Sequence, residues 1–290
     1  MSVKRIGIIG GSGLYNLPNL AFREWLHLST PFGDPSDLLG VGEIDGRELV
    51  FLPRHGRGHR FLPSEINFRA NIHALKQLNV KWILSVSAVG SFKKEIKPLD
   101  IVLVDQFIDL TYRRVNTFFG DGLAAHIAFD DPVCQTLRRT LYEAGQEEGL
   151  GARIHWGGTY LGIEGPAFSS KAESLLHQSW GCSVVGMTNP TEAKLAREAE
   201  ICYATLAMVT DYDSWVEDRH SRVSVRTVLE NLGENSSTAE RILRNAIHKI
   251  VLDETCGCHH ALQDALVTAP ASISPNAKSR LDWLIGKTME

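Results

Sequence analysis

Short, continuous apolar runs bounded by polar residues and glycines recur along the chain. They lie at 3–9, 47–52, 82–86, 101–104, 157–163 and 203–209. An uninterrupted apolar run of this length is typical of a strand that is buried on both faces. The pattern therefore predicts a sheet whose strands are covered on both sides.

Between these runs, apolar positions recur at three- and four-residue spacing, which predicts amphipathic helices. The predicted helices lie at 67–78, 131–149, 168–179, 192–200, 224–233 and 237–253, with Pro132 in the first turn of the second. Because strands and helices alternate, we expect an α/β fold with a central mixed β-sheet flanked by helices. No linker divides the chain, so residues 1–260 are predicted to form one domain and 261–290 a C-terminal tail with a packed helix and a loose end.

Composition narrows the class of protein. The 290 residues are 43% hydrophobic and 22% charged, with a formal net charge of −4, which gives no electrostatic footprint for nucleic acid. No apolar run is long enough to span a bilayer, and the N-terminus lacks a signal-peptide pattern. We expect a cytoplasmic protein with no nucleic-acid or membrane partner.

Two carboxylates follow the last apolar run. Asp211 and Asp213 are two residues apart, so both should point the same way if the strand continues that far. Their proximity should raise the pKa of at least one. The pair is a candidate for acid catalysis or ligand binding, and a solvated strand-end loop is the alternative.

Two other strand ends carry groups suited to an anion. Gly10-Gly11-Ser12-Gly13 follows the first strand, where small residues let backbone N–H groups approach a ligand; a simple tight turn is equally compatible. The segment Arg54-His55-Gly56-Arg57-Gly58-His59 holds four basic side chains, which favours anion binding over a solvated loop or a metal site. Ser87-Ala88-Val89-Gly90 and Met187-Thr188 add hydroxyl groups at further predicted strand ends.

The five cysteines do not form a pattern typical of a disulfide framework or a zinc site. The segment Cys256-Gly257-Cys258-His259-His260 is a single short cluster with no second pair at ligand spacing, so we expect no bound metal. A disulfide between Cys256 and Cys258 is the other option that the spacing leaves open.

Taken together, these motifs resemble the S-methyl-5'-thioadenosine phosphorylases of the trimeric purine nucleoside phosphorylase superfamily. The segments that carry the resemblance are 6–13, 53–59, 105–109, 163–170, 195–199 and 201–213. The resemblance implies phosphorolysis of methylthioadenosine to adenine and 5-methylthioribose 1-phosphate in purine and methionine salvage. It implies no cofactor, inorganic phosphate as co-substrate, and a homotrimer or a hexamer built from two trimers.

The resemblance also implies a role for each site residue. Phosphate would be bound by Ser12, Arg54, His55, Ser87, Ala88 and Thr188. The nucleoside would contact Phe168, Met187, Asp211, Asp213, His59, His126, Val225 and Val228, with His126 entering the pocket of a neighbouring subunit. Asp211 would be the catalytic acid for the leaving purine.

Two carboxylates near the base favour a 6-aminopurine, because an exocyclic amine donates whereas a 6-oxo group accepts. The alternatives are a phosphorylase that prefers adenosine, methylthioinosine or 6-oxopurine nucleosides, and a nucleoside-binding module without turnover. A dehydrogenase is disfavoured because Asn16 stands where a dinucleotide-binding fingerprint needs glycine. Three departures from the family pattern concern Pro190, Lys171, and the serines at 12 and 87; Pro190 puts the ribose contacts in question.

Overall fold

In the computed structural model, which describes residues 3–11, 14, 21–217, 223–253 and 255–286, a mixed sheet is flanked by helices. The predicted fold class is confirmed. The strands are β1 (Arg5–Gly10), β2 (Ala21–Leu26), β3 (Leu39–Ile44), β4 (Arg47–Pro53), β5 (Val80–Ser91), β6 (Ile101–Leu103), β7 (Gln106–Asp109), β8 (Ile154–Trp156), β9 (Thr159–Gly162), β10 (Val184–Gly186) and β11 (Cys202–Tyr212). The helices are α1 (Phe68–Gln77), α2 (Gln135–Glu147), α3 (Lys171–Ser179), α4 (Asn189–Glu198), α5 (Val225–Lys249) and α6 (Pro275–Ile285).

Four adjacent parallel strands form the centre of the sheet. Strand β1 pairs with β4 on one side and β5 on the other, and β11 pairs with the far edge of β5. Antiparallel β3 and β2 extend the sheet beyond β4, while β10, β9 and β7 continue it beyond β5. The carboxyl ends of β1, β4, β5 and β11 therefore meet at one edge, where ligands of α/β sheets bind.

Successive side chains along the central strands point to opposite faces of the sheet, and each face has its own hydrophobic core. Ile8 and Leu84 face helices α2 and α5, whereas their neighbours Ile9 and Ile83 face helices α1, α4 and α6. Because both faces are covered, the strands are apolar throughout, and this explains the continuous apolar runs in the sequence.

Several predicted boundaries were wrong. Helix α4 begins at Asn189 rather than at residue 192, and α3 begins at Lys171 rather than at residue 168. Helix α2 begins at Gln135 after the N-cap Cys134, so Pro132 precedes it.

Helix α5 is continuous where two helices were predicted. Its buried face continues on both sides of Gly233, at Leu232 and Ala239, and this packing offsets the cost of about 1 kcal/mol of a glycine inside a helix. Strand β5 continues to Ser91, so residues 87–90 lie within a strand rather than after it.

Strands β2, β7, β8 and β10 were not predicted, because they are edge or three-residue segments without a long apolar run. Strand β3 lies between β2 and β4 and was also missed, because Gly40, Gly42 and Glu43 interrupt its apolar residues. None of the described helices is both long and apolar enough to cross a bilayer.

Candidate active site

A cavity of about 560 Å³ opens at the carboxyl ends of β4, β5 and β11. Its walls also include the β10–α4 connection and the first turns of α5. Of the residues predicted for the site, the structure brings these to the cavity: Arg54, His55, His59, Ser87, Ala88, Phe168, Met187, Thr188, Asp211, Asp213, Val225 and Val228. Ser12 lies outside the described residues.

Arg54 is the buried cation at one end of this cavity, and only 1% of it is exposed. Its Nε lies 2.6 Å from Oε1 of Glu192, and its Nη1 donates to the Val86 carbonyl at 2.9 Å. Ser85 Oγ and Tyr203 Oη each donate to Glu192 Oε2 at 2.9 Å. The carboxylate therefore holds the guanidinium in one orientation beside the space where an anion would bind.

The turn after β1 has no room for a side chain at Gly11. A Cβ at this position would lie 2.7 Å from Arg54 Nη1 and 2.8 Å from the Val86 carbonyl oxygen. Any side chain would displace the guanidinium or the backbone of β5. Glycine at position 11 therefore allows this turn to lie close to Arg54.

The side chains of His55 and His59 stack with ring centroids 4.2 Å apart. Burial lowers the pKa of His55 to about 3, so this ring is neutral near pH 7. Its Nδ1 donates to the Phe61 carbonyl at 2.9 Å, which leaves Nε2 as an acceptor. Such a nitrogen suits the O–H of a protonated phosphate.

Thr188 has a buried hydroxyl without a hydrogen-bond partner among the described residues. The residue is 3% exposed and is the N-cap of α4, yet its side chain does not cap the helix. Since buried polar atoms are normally paired, this one points to a ligand. Pro190 sits in the first turn of α4, a position that proline favours, so the unusual proline is accommodated without breaking the helix.

Asp211 and Asp213 both line the cavity and are each 2% exposed. Burial, together with the charge of Asp213, raises the pKa of Asp211 to about 7. A hydrogen bond that Thr210 Oγ1 donates to Asp211 Oδ2 at 2.7 Å lowers the pKa but does not cancel this rise. Burial also raises the pKa of Asp213. Asp211 Oδ1 has no partner within the described part of the chain and is available to a ligand.

The rest of the cavity is largely apolar. Phe168 stands at its mouth, Met187 lies on the wall, and Val225 and Val228 come from the first turn of α5. His126 does not line the cavity; it is exposed on the connection between β7 and α2, where its backbone N–H donates to the Ala265 carbonyl at 2.8 Å.

Sequence reasoning missed several lining residues and one supporting residue. Leu229 and Leu232 also face the cavity from α5, and their helical spacing from Val225 and Val228 was the signal that could have revealed them. Glu192 gave no such signal, because its pairing with Arg54 spans 138 residues of sequence.

The raised pKa of Asp211 predicts a pH-dependent stability difference. The folded value of about 7 exceeds the ordinary value of 3.8, so ionising Asp211 costs folding free energy as the pH rises from about 4 through 7. We expect the free energy of unfolding of Asp211→Asn to rise, relative to that of the wild type, by roughly 2–4 kcal/mol between pH 4 and pH 8. Urea unfolding of both proteins across this range measures the difference, and a pH-independent difference would contradict the pKa.

Comparisons with known proteins agree on one family. Residues 5–248 match the family model described as Phosphorylase superfamily. The S-methyl-5'-thioadenosine phosphorylase of Geobacter sulfurreducens is 54% identical, covering 97% of this chain and 98% of the relative. That of Gloeobacter violaceus is 51% identical, covering 98% and 95%.

Solved structures give the same result. A methylthioadenosine phosphorylase from an Antarctic soil metagenomic library has a TM-score of 0.91 at 44% identity, covering 98% of this chain and 99% of that one. Methylthioadenosine phosphorylase from Schistosoma mansoni, in complex with adenine, has a TM-score of 0.81 at 35% identity, covering 85% and 91%.

Proposed function

Because the chain belongs to the S-methyl-5'-thioadenosine phosphorylases of the phosphorylase superfamily, as its motifs predicted, we propose that it cleaves methylthioadenosine with inorganic phosphate. The products are adenine and 5-methylthioribose 1-phosphate, so the enzyme is a pentosyltransferase of purine and methionine salvage. The observation that carries this function is the cavity itself, which joins a buried cationic end to two buried carboxylates through an apolar middle.

We propose that phosphate binds at the cationic end, among Arg54, His55 and Thr188, with the hydroxyls of Ser12 and Ser87 and the backbone of Ala88 completing the site. Breaking the glycosidic bond places positive charge on the ribose, and a phosphate anion beneath it stabilises that charge and then attacks C1'. The unpartnered Thr188 hydroxyl and the neutral His55 ring support this placement.

Asp211 is proposed to donate a proton or a strong hydrogen bond to N7 of the leaving purine. With a pKa of about 7, a substantial fraction of the side chain is protonated at neutral pH, which matches the requirement for a general acid. Asp213 is proposed to accept from the exocyclic amine of adenine. A 6-oxo group would instead face an acceptor, and such mismatches are costly in a buried site.

The apolar part of the cavity is proposed to hold the 5'-methylthio group against Val225, Val228 and His59. Phe168 would lie on the purine face and Met187 beneath the ribose. Phe168, Val225 and Leu229 are 42%, 65% and 61% exposed in the single chain. Such exposure at a cavity mouth supports a homotrimer, or a pair of trimers, in which His126 of one subunit covers the pocket of the next. We place the enzyme in the cytoplasm, with no cofactor at the active site.

The test of this function is spectrophotometric turnover of methylthioadenosine, adenosine, methylthioinosine and inosine, each with and without phosphate. We expect methylthioadenosine to be the preferred substrate and the reaction to require phosphate. If inosine is preferred, the argument from the two carboxylates is wrong. Binding of adenine nucleosides without release of adenine at any phosphate concentration would identify a binding module.

Thr188→Val provides a specific test of the phosphate site. The hydroxyl has no partner among the residues that the structure describes, so its loss should leave stability almost unchanged. A hydrogen bond to a charged group contributes about 1.5–3 kcal/mol, so KM for phosphate should rise roughly 10- to 100-fold. Thr191→Val is the matched control: its hydroxyl is also buried and unpaired on α4, but it does not line the cavity. Equal effects of the two substitutions would refute the assignment.

A further inference from the structure

Four of the five cysteines meet at the end of the sheet opposite the cavity. The Sγ atoms of Cys134, Cys202, Cys256 and Cys258 all lie within 4.8 Å of one another. Cys134 and Cys202 are buried, and Cys256 and Cys258 are partly buried. Cys202 is the first residue of β11, whose other end carries Asp211. Cys134 is the N-cap of α2, and the other two come from the segment that follows α5.

The spacing of the sulfur atoms suits a tetrahedral metal ion. The Sγ atoms of Cys134 and Cys256 are 3.7 Å apart. A Zn–S bond of about 2.3 Å in tetrahedral geometry gives an S···S separation of about 3.8 Å. The sequence alone argued against zinc because it offered only the pair at 256 and 258; the fold supplies the second pair from positions 68 residues apart in the chain.

We propose that Cys134, Cys202, Cys256 and Cys258 bind a structural Zn²⁺ ion as four thiolate ligands. A closed set of four cysteines leaves no position for substrate, which is typical of a structural rather than a catalytic zinc site.

The surroundings supply what a tetrathiolate site needs. Such a site carries a net charge of −2, and Arg197 is the positively charged side chain that interacts electrostatically with Cys258. His259 Nδ1 donates to the Glu200 carbonyl at 3.1 Å, and its Nε2 lies 3.6 Å from the Cys202 sulfur. Neighbouring groups of this kind orient the ligands of a metal site.

The ion would join three segments that are distant in sequence: the start of β11, the start of α2 and the segment that leads to α6. That segment packs on the face of the sheet that α1 and α4 cover. We therefore expect loss of the metal to lower thermal stability, because metal binding to a folded site contributes directly to folding free energy.

The experiment measures zinc in the full chain, expressed with zinc in the medium and purified without chelators or metal-affinity resin. We expect about one zinc per chain by mass spectrometry of the metal, and five reactive thiols after denaturation. Refolding with Co²⁺ should give the visible absorption of a tetrahedral tetrathiolate site. Cys256→Ala/Cys258→Ala should lose the metal, whereas Cys182→Ala, a buried cysteine outside the cluster, should retain it.

Two results would overturn the proposal. An intact mass lower by the four hydrogens of two disulfides, with a single reactive thiol, would show that the cluster is oxidised rather than metal-bound. Five reactive thiols and no bound zinc or cobalt after refolding with excess metal would show that the cluster is four free thiols. Both measurements use the wild-type protein, so they decide the question even if the double variant does not fold.

Discussion

Asp211→Asn is expected to reduce kcat for methylthioadenosine by about 10²- to 10⁴-fold, the usual contribution of a general acid. The side chain is buried, its pKa is raised to about 7, and Oδ1 has no partner among the described residues. The amide keeps the volume of the carboxyl group but cannot supply a proton, so kcat should fall without any loss of stability. Steady-state kinetics and thermal unfolding of the two proteins measure both effects.

A change of leaving group separates acid catalysis from a packing defect. In a 5-methylthioriboside that carries an acidic phenol in place of adenine, the leaving group is a stable phenolate anion, which needs no protonation. We expect Asp211→Asn to cleave this substrate at close to the wild-type rate, provided that the sugar and phosphate sites are intact. Equal losses on both substrates would assign Asp211 a positioning role, and a wild-type rate on methylthioadenosine would remove it from the mechanism.

The sequence predicted the parts of the site that are local in the chain. The strands at 5–10, 47–53, 80–91 and 202–212 are buried on both faces, so their apolar runs identify them. Since these strands are parallel neighbours, the polar groups at or near their carboxyl ends had to converge. The family resemblance had already assigned Arg54 and Asp211 to one site, and the parallel pairing of these strands explains why both line one cavity.

The parts that could not be predicted depend on contacts between distant segments. The Arg54–Glu192 pair and the cluster of four cysteines each join positions far apart in sequence, and no spacing rule reveals them. Asp211 illustrates the intermediate case: its proximity to Asp213 was visible, but the larger cause of its raised pKa is burial, which only the fold provides. The continuity of α5 through Gly233 likewise depends on the packing of the helix against the sheet on both sides of that glycine, at Leu232 and Ala239.

Arg54→Ala is expected to destabilise the protein by about 3–5 kcal/mol as well as to abolish effective use of phosphate. The substitution leaves Glu192, which is 2% exposed, as a buried carboxylate without its cation, and an uncompensated buried charge costs about this much. Denaturant unfolding measures the stability, and KM for phosphate measures the site. This result alone does not separate folding from binding.

The double variant Arg54→Met/Glu192→Gln separates them. It removes both charges together, and the amide oxygen at position 192 can still accept from the Ser85 and Tyr203 hydroxyls that now donate to Glu192. We expect most of the lost stability to return, because no unpaired charge remains. Phosphate use should stay at least about tenfold impaired, because the cationic donor is absent. Wild-type KM for phosphate in a stable double variant would mean that Arg54 serves only to neutralise Glu192, and the anion would then have to bind elsewhere in the cavity.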